Sequence, residues 1–297
     1  MNYRTLGMTG LKVSEIGLGA FPIAGLWQRG DGSRFGWTGT DDGESIALIH
    51  RAEELGVNLI DTAEGYGDGH SEEVTGSALR GRRERWIVAT KVQPNQGIER
   101  EKIDEAAVRQ RITHACEQSL RRLQMETIDL YQLHAIPYDW AMPAVMESLA
   151  DLRQAGKIRW YGISTNNRTA IDRLRQLGPL HILQIGYNLP ERSADDLLHW
   201  AKEENIGTLI RVPLAKGMLT GKYSGANAQS LAENDLRYER FQRAETVAGL
   251  ARLPELNFLA TPGRSLVQAS LRFVLDQASR SIGSWKIRIR SGSTVSR

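Results

Sequence analysis

The chain has 297 residues, 41% hydrophobic and 25% charged, an ordinary balance for a globular protein that excludes a disordered or collagen-like chain. Its formal charge of +3 is unevenly placed: Lys286, Arg288, Arg290 and Arg297 lie in an acid-free tail, residues 281–297, so residues 1–280 carry −1. The calculated pI of about 9.0 therefore does not describe a nucleic-acid-binding surface. No apolar run reaches the ~20 residues of a membrane-spanning helix, and the first residues lack the apolar segment of a secretory signal.

In chain order, RTLGMTGLKV reads as a hairpin whose turn is bracketed by Gly7 and Gly10. IGLGAF, VNLIDT, WIVATKV, IDLYQL, IRWYGIS, HILQIGY and IGTLIRV follow as short strands, several nearly continuous in apolar character, as suits a parallel sheet buried on both faces. Between them come helical patterns. SIALIHRAEELG sets Ile46, Ile49, Ala52 and Leu55 on one stripe, with Gly56 closing the helix. EAAVRQRITHACEQSLRRL repeats Val108, Ile112, Ala115, Ser119 and Leu123 at spacings of three or four, and further helices are expected at 143–155, 169–177, 193–205 and 265–277. Seven strands, most followed by a helix or long loop, predict a (β/α)8 barrel, one domain over residues 1–297, with a doubly wound sheet as the structural alternative. Cys116 cannot form an internal disulfide, so a reducing cytoplasm is the expected compartment, and its helical setting reads as a small core residue.

Two motif tests narrow the chemistry. Gly17-Leu18-Gly19-Ala20-Phe21-Pro22 begins like a dinucleotide fingerprint but has proline where the third glycine belongs. GxxxxGK[ST], HExxH, CxxC and GxSxG are absent, so metal-dependent and serine-nucleophile readings have little support.

Barrel chemistry sits at the C-terminal ends of strands. Those ends carry Asp61 after VNLI, Lys91 after WIVAT and His134 after IDLYQL, and Tyr66 lies in the loop beyond Asp61. Each alone has an ordinary structural role, as a cap, a snorkelling side chain, a core histidine or a loop anchor. Four at neighbouring strand ends, facing one mouth, favour a site. A phenol is protonated at neutral pH and can donate to a carbonyl oxygen. The Lys91 ammonium is expected to make Tyr66 a stronger acid, Asp61 to orient Lys91, and His134 to hydrogen-bond the same substrate oxygen.

With these residues in place the sequence resembles the aldo-keto reductases: TGLKVSEIGLG, DTAEGYG with HSEEVTGSAL, ATK, IDLYQLH, GKIRWYGIS, QIGYNL and PLAKGMLTGKY match the family pattern in order over about residues 1–280. The resemblance implies a (β/α)8 barrel that reduces an aldehyde or ketone with NADPH, less often NADH. It implies Tyr66 as proton donor, with Asp61, Lys91 and His134 completing a tetrad. It further assigns Ser164 and Gln184 to the nicotinamide carboxamide, and the backbone around Leu214, Gly217 and Leu219 to the pyrophosphate. Arg211 falls where many members stack a tyrosine on the nicotinamide, a contact that a guanidinium can also make. Thr165 replaces an asparagine common after the serine. Phe21, Trp27, Phe35 and Trp37, with Tyr138 and Trp140, fall in loops from which the family builds its substrate pocket, and Trp27 is the first candidate. The implied partner is a small carbonyl compound, with no nucleic acid or membrane. The alternative the resemblance allows is an impaired or regulatory relative with weak cofactor binding.

The tail departs from the family after Gln277, where an eighth strand, a segment for the adenosine 2′-phosphate and a closing helix are expected. A changed reading frame just after Gln277 is the expected origin of ASRSIGSWKIRIRSGSTVSR, and with it are expected an atypical eighth strand, weak NADPH affinity and weak discrimination between NADPH and NADH.

Overall fold

The computed structural model describes residues 1–28, 34–37, 39–223, 233 and 238–278. The elements in chain order begin with strands β1 (Tyr3–Thr5), β2 (Lys12–Ser14), β3 (Leu18–Gly19), β4 (Leu26–Gln28) and β5 (Arg34–Gly36). Helix α1 (Asp42–Glu54), β6 (Leu59–Asp61), α2 (His70–Leu79), β7 (Ile87–Val92), α3 (Glu105–Leu123), β8 (Ile128–Leu133) and α4 (Met142–Gln154) follow. The remainder is β9 (Ile158–Ser164), α5 (Arg168–Leu177), β10 (Ile182–Gly186), α6 (Asp195–Glu203), β11 (Gly207–Arg211), α7 (Tyr238–Gln242), α8 (Ala244–Arg252) and α9 (Leu266–Ala278).

Strands β3, β6, β7, β8, β9, β10 and β11 pair in that order, all parallel, in one curled sheet with helices outside it. This is the expected (β/α)8 barrel rather than a doubly wound sheet, whose strand order would double back. The residues assigned to an atypical eighth strand and tail, from 279 on, lie outside the described residues. Among the described residues no helix is long and apolar enough to cross a membrane.

The sheet buries itself as its composition demands. Every residue of β8, IDLYQL, is buried, because helices cover one face and the barrel interior the other. The predicted hairpin forms from β1 and β2 and caps the N-terminal end of the barrel: Leu6, Leu11 and Val13 pack on the inward Leu59, Ala89, Leu130, Ile182 and Leu209. Strand crowding is tight at Gly162, where a Cβ would sit 1.8 Å from the carbonyl oxygen of Ile182 on the neighbouring strand. Only glycine fits there.

Helix α3 buries the stripe read from its sequence, Val108, Ile112, Ala115, Ser119 and Leu123, together with Cys116. Burial pushes the Cys116 thiol up to about 12, so it is an inert core residue. Helix α1 is less tidy. Ile49 is fully buried and Gly56 ends the helix with a left-handed φ of 87°, but Leu55, at the C-cap, is 56% exposed instead of joining the stripe. Asp41, Asp104 and Asn167 cap α1, α3 and α5 by accepting from the N–H of Glu44, Ala107 and Ala170 at 2.9, 2.9 and 3.0 Å.

Candidate active site

The C-terminal ends of β6, β7 and β8 deliver Asp61, Lys91 and His134 to one mouth, and the loop after β6 brings Tyr66 over it. Lys91 is fully buried and spends its ammonium on three acceptors: Asp61 Oδ2 at 2.9 Å, the Thr62 carbonyl at 2.7 Å and Tyr66 Oη at 3.2 Å. Because Tyr66 accepts from Lys91, its own O–H proton is directed elsewhere. Gln132 donates to the second oxygen of Asp61 at 3.4 Å. The Tyr66 ring lies edge-on to His134, with centroids 5.5 Å apart, and to Phe21 at 4.7 Å.

A buried network fixes the Tyr66 loop. Glu64 donates its N–H to the Lys91 carbonyl at 3.1 Å, accepts from the Gln93 N–H at 2.6 Å, and pairs with Arg111. Ser71 joins Thr62 to the Ala20 carbonyl, and its N–H reaches the Tyr66 carbonyl at 3.2 Å. The fully buried Glu72 holds Thr90 at 2.5 Å and Arg122 at 2.7 Å. The strand-end reading missed Glu64, Ser71 and Glu72, although all three fall in the quoted DTAEGYG and HSEEVTGSAL motifs.

Electrostatics revise one expectation. Burial raises the Tyr66 pKa, the nearby Lys91 cation offsets only part of that, and the phenol stays above its ordinary range. Lys91 does not make Tyr66 a stronger acid overall; it limits the loss that burial imposes. Burial also opposes charge on Lys91, but Asp61 and Tyr66 outweigh it and raise its pKa.

Burial lowers His134 from 6.5 to about 3, and the cations of Lys91 and Arg211 add to the effect. His134 is therefore neutral at physiological pH, and its buried Nδ1 has no hydrogen-bond partner. The pH dependence follows in sign. As pH falls through 6.5 toward 3, the unfolded chain takes up a proton at His134 that the folded chain refuses. This contribution to stability is full above 6.5 and lost below it. The melting temperature is expected to drop less for His134→Gln than for the wild type between about pH 7 and about pH 4. Identical drops in the two proteins would contradict the buried neutral imidazole.

Ser164 ends β9 and pairs in register with Gln184 on β10; its hydroxyl donates to Gln184 Oε1 at 3.0 Å. Both line the cavity that holds Asp61, Tyr66 and His134. Thr165 turns away, its hydroxyl accepting from the Asn167 N–H at 3.1 Å. Asn166 supplies the amide next to it, accepting from Gly186 N at 2.7 Å and donating to Gly186 O at 2.8 Å. Arg211 ends β11 opposite Gly186 and lays its guanidinium over that glycine, where a Cβ would meet Arg211 Cζ at 3.2 Å.

Beyond Arg211 the chain turns through left-handed residues: Val212 (φ 54°), Ala215 (φ 49°), Lys216 (φ 57°) and Gly217 (φ 99°). A β-branched residue at positive φ is strained, and such backbone concentrates at functional sites. Leu214 and Gly217 line the cavity, while Leu219 is buried beneath it and its N–H bonds the Leu214 carbonyl at 3.2 Å. Arg240 and Arg243 reach the same end of the cavity. Lys216 has its pKa lowered by burial first and then by Arg240, Arg211 and Arg243. The Arg240 Nε is buried without a partner. A cluster of crowded cations with an orphaned donor fits a polyanion such as a dinucleotide's phosphates. Arg240 and Arg243 were not legible as site residues, because a cation in a helical sequence carries no sign of what faces it.

Trp27 lies on β4, packs edge-on to Phe21 with centroids 6.1 Å apart, and lines the cavity beside Trp37 and Tyr66. Tyr138 and Trp140 pack on each other at 6.3 Å and are absent from that lining; the Phe35 side chain lies outside the described residues. Among the described residues no group of three or more His, Cys, Asp or Glu side chains has the arrangement to hold a metal ion.

Comparison with known proteins identifies the family and the fold. The model of the aldo/keto reductase family matches residues 16–286. The aldo-keto reductase YhdN of Bacillus subtilis is 36% identical over 97% of this chain and 85% of its own length. The structure of a glycerol dehydrogenase from Gluconobacter oxydans superposes with a TM-score of 0.75 at 34% identity, covering 93% of this chain and 83% of that one. An aldo/keto reductase from Klebsiella pneumoniae, solved in complex with NADP and acetate, gives 0.63 at 26% identity over 93% and 82% of the two chains. The chain belongs to the aldo/keto reductase family, a family of oxidoreductase enzymes.

Proposed function

We propose that the protein reduces an aldehyde or ketone to an alcohol with NADPH, Tyr66 giving the proton. The observation that carries this reading is the buried Lys91 ammonium, 3.2 Å from Tyr66 Oη and 2.9 Å from Asp61. Bound NADPH supplies the hydride. The residues of the chain do the rest. Lys91 stabilises the phenolate left on Tyr66 once its proton is given up, and Asp61 keeps Lys91 charged. Neutral His134 stands beside the phenol ring to orient the carbonyl oxygen. Ser164 and Gln184 suit the carboxamide: Gln184 uses its oxygen on Ser164 and keeps its N–H groups for the cavity. Lys216, Arg240 and Arg243, with the backbone of Leu214 and Gly217, suit the phosphates. The NADP in the Klebsiella structure supports the choice of cofactor. Trp27, with Phe21 and Trp37, forms an apolar wall suited to an uncharged substrate body.

Titration with NADPH is expected to quench tryptophan fluorescence saturably, and addition of 4-nitrobenzaldehyde to oxidise the bound cofactor. An aldehyde left unreduced despite saturable binding would favour a regulatory or impaired protein, and no binding at all would remove the cofactor assignment.

A further inference from the structure

Arg211 is a cation without an acidic partner among the described residues. Its guanidinium rests on Gly186, whose backbone is held at both N and O by Asn166, so the shelf beneath it is rigid. Two residues before Gly186 is Gln184, bonded to Ser164, and across the mouth are Tyr66 and His134, both within electrostatic reach of Arg211. The acid nearest the chemistry, Asp61, is already paired with Lys91. On the same side Lys216 lies within electrostatic reach of Arg211, Arg240 and Arg243, and the one acid lining that end, Glu239, forms no ion pair with Arg211 among the described residues. A nicotinamide ring held by Ser164 and Gln184 would therefore face a positive charge that no described acid pairs with.

The reduced and oxidised dinucleotides share their phosphates, ribose and adenine. They differ by one positive charge on the ring. We infer that Arg211 makes the site bind the reduced cofactor more tightly than the oxidised one, so that the enzyme stays loaded with reductant and sheds its spent product. This rests on the proposed function above. Repulsion between unit charges a few ångströms apart, discounted for the exposure of Arg211 to the cavity, corresponds to about tenfold in affinity. The overall equilibrium in solution is unchanged. By linkage, the factor that weakens binding of the oxidised form also makes hydride transfer on the enzyme less favourable, so the gain lies in loading and release.

The test is a pair of fluorescence titrations, with NADPH and with NADP+, on the wild type, Arg211→Gln and Arg211→Lys. The wild type is expected to bind NADP+ about tenfold more weakly than NADPH. In Arg211→Gln the two constants should come within about twofold, while Arg211→Lys, which keeps the charge, should stay near the wild-type ratio. Each ratio is taken within one protein, so a variant that folds less completely still reports it. A wild type that binds both forms equally, or a ratio unchanged in Arg211→Gln, overturns the inference while leaving the reductase reading intact. A wild type that binds neither form overturns both.

Discussion

Replacing Tyr66 with phenylalanine is expected to lower the turnover of 4-nitrobenzaldehyde by at least about 10²-fold while NADPH binding stays within a few-fold of the wild type. The substitution removes one oxygen and little else. The ring keeps its edge contacts with Phe21 and His134, and Lys91 keeps Asp61 and the Thr62 carbonyl as acceptors. The loop keeps the bonds of Glu64 and Ser71, so the fold and the cofactor cavity persist. Steady-state kinetics beside a binding titration separates the two effects. Retention of about half the wild-type turnover would remove Tyr66 from the role of general acid.

Lys91→Met is expected to cost both stability and catalysis. Methionine is apolar and fills part of the lysine's space, but it leaves Asp61, whose side chain is only 23% exposed, facing the barrel mouth without its cation. Breaking a buried pair from one side costs about 3–5 kcal/mol, and the partial exposure of Asp61 points to the lower end, about 3 kcal/mol. Turnover should fall by at least about 10²-fold, because nothing then stabilises a phenolate on an already weak acid. The double variant Asp61→Asn with Lys91→Met removes the orphaned charge and is expected to recover most of the lost stability and none of the turnover. Denaturant unfolding of the three proteins measures the first effect and aldehyde reduction the second. Equal stability of Lys91→Met and the wild type would show that Asp61 is solvated well enough to stand alone.

The grouping of Asp61, Lys91 and His134 at one mouth was legible because it depends on local order. A polar residue directly after a buried apolar run must sit at a strand end, and β6, β7 and β8 place Asp61, Lys91 and His134 accordingly. Helix α3 was legible because it has one wet face and one dry face. Helix α2 was not. Seven of its ten residues are buried, Ser71, Glu72, Thr75 and Gly76 among them, so polarity does not mark the solvent face. Its buried acid is compensated by Arg122 and Thr90, partners distant in sequence. The acidity of Tyr66 was misjudged for a related reason: the neighbouring cation can be read from strand order, but the burial that outweighs it belongs to the packed molecule. Arg240 and Arg243 converge on Lys216 through the turn after β11, a contact that no periodicity encodes.

The most direct test of the account is stoichiometry. Purified protein, NADPH and 4-nitrobenzaldehyde are mixed, and cofactor oxidised is compared with 4-nitrobenzyl alcohol formed. Carbonyl reduction at the Tyr66–Lys91 site predicts one alcohol for each NADPH consumed over many turnovers, and no consumption without the aldehyde. Saturable binding of NADPH with neither cofactor oxidised nor alcohol formed would contradict it.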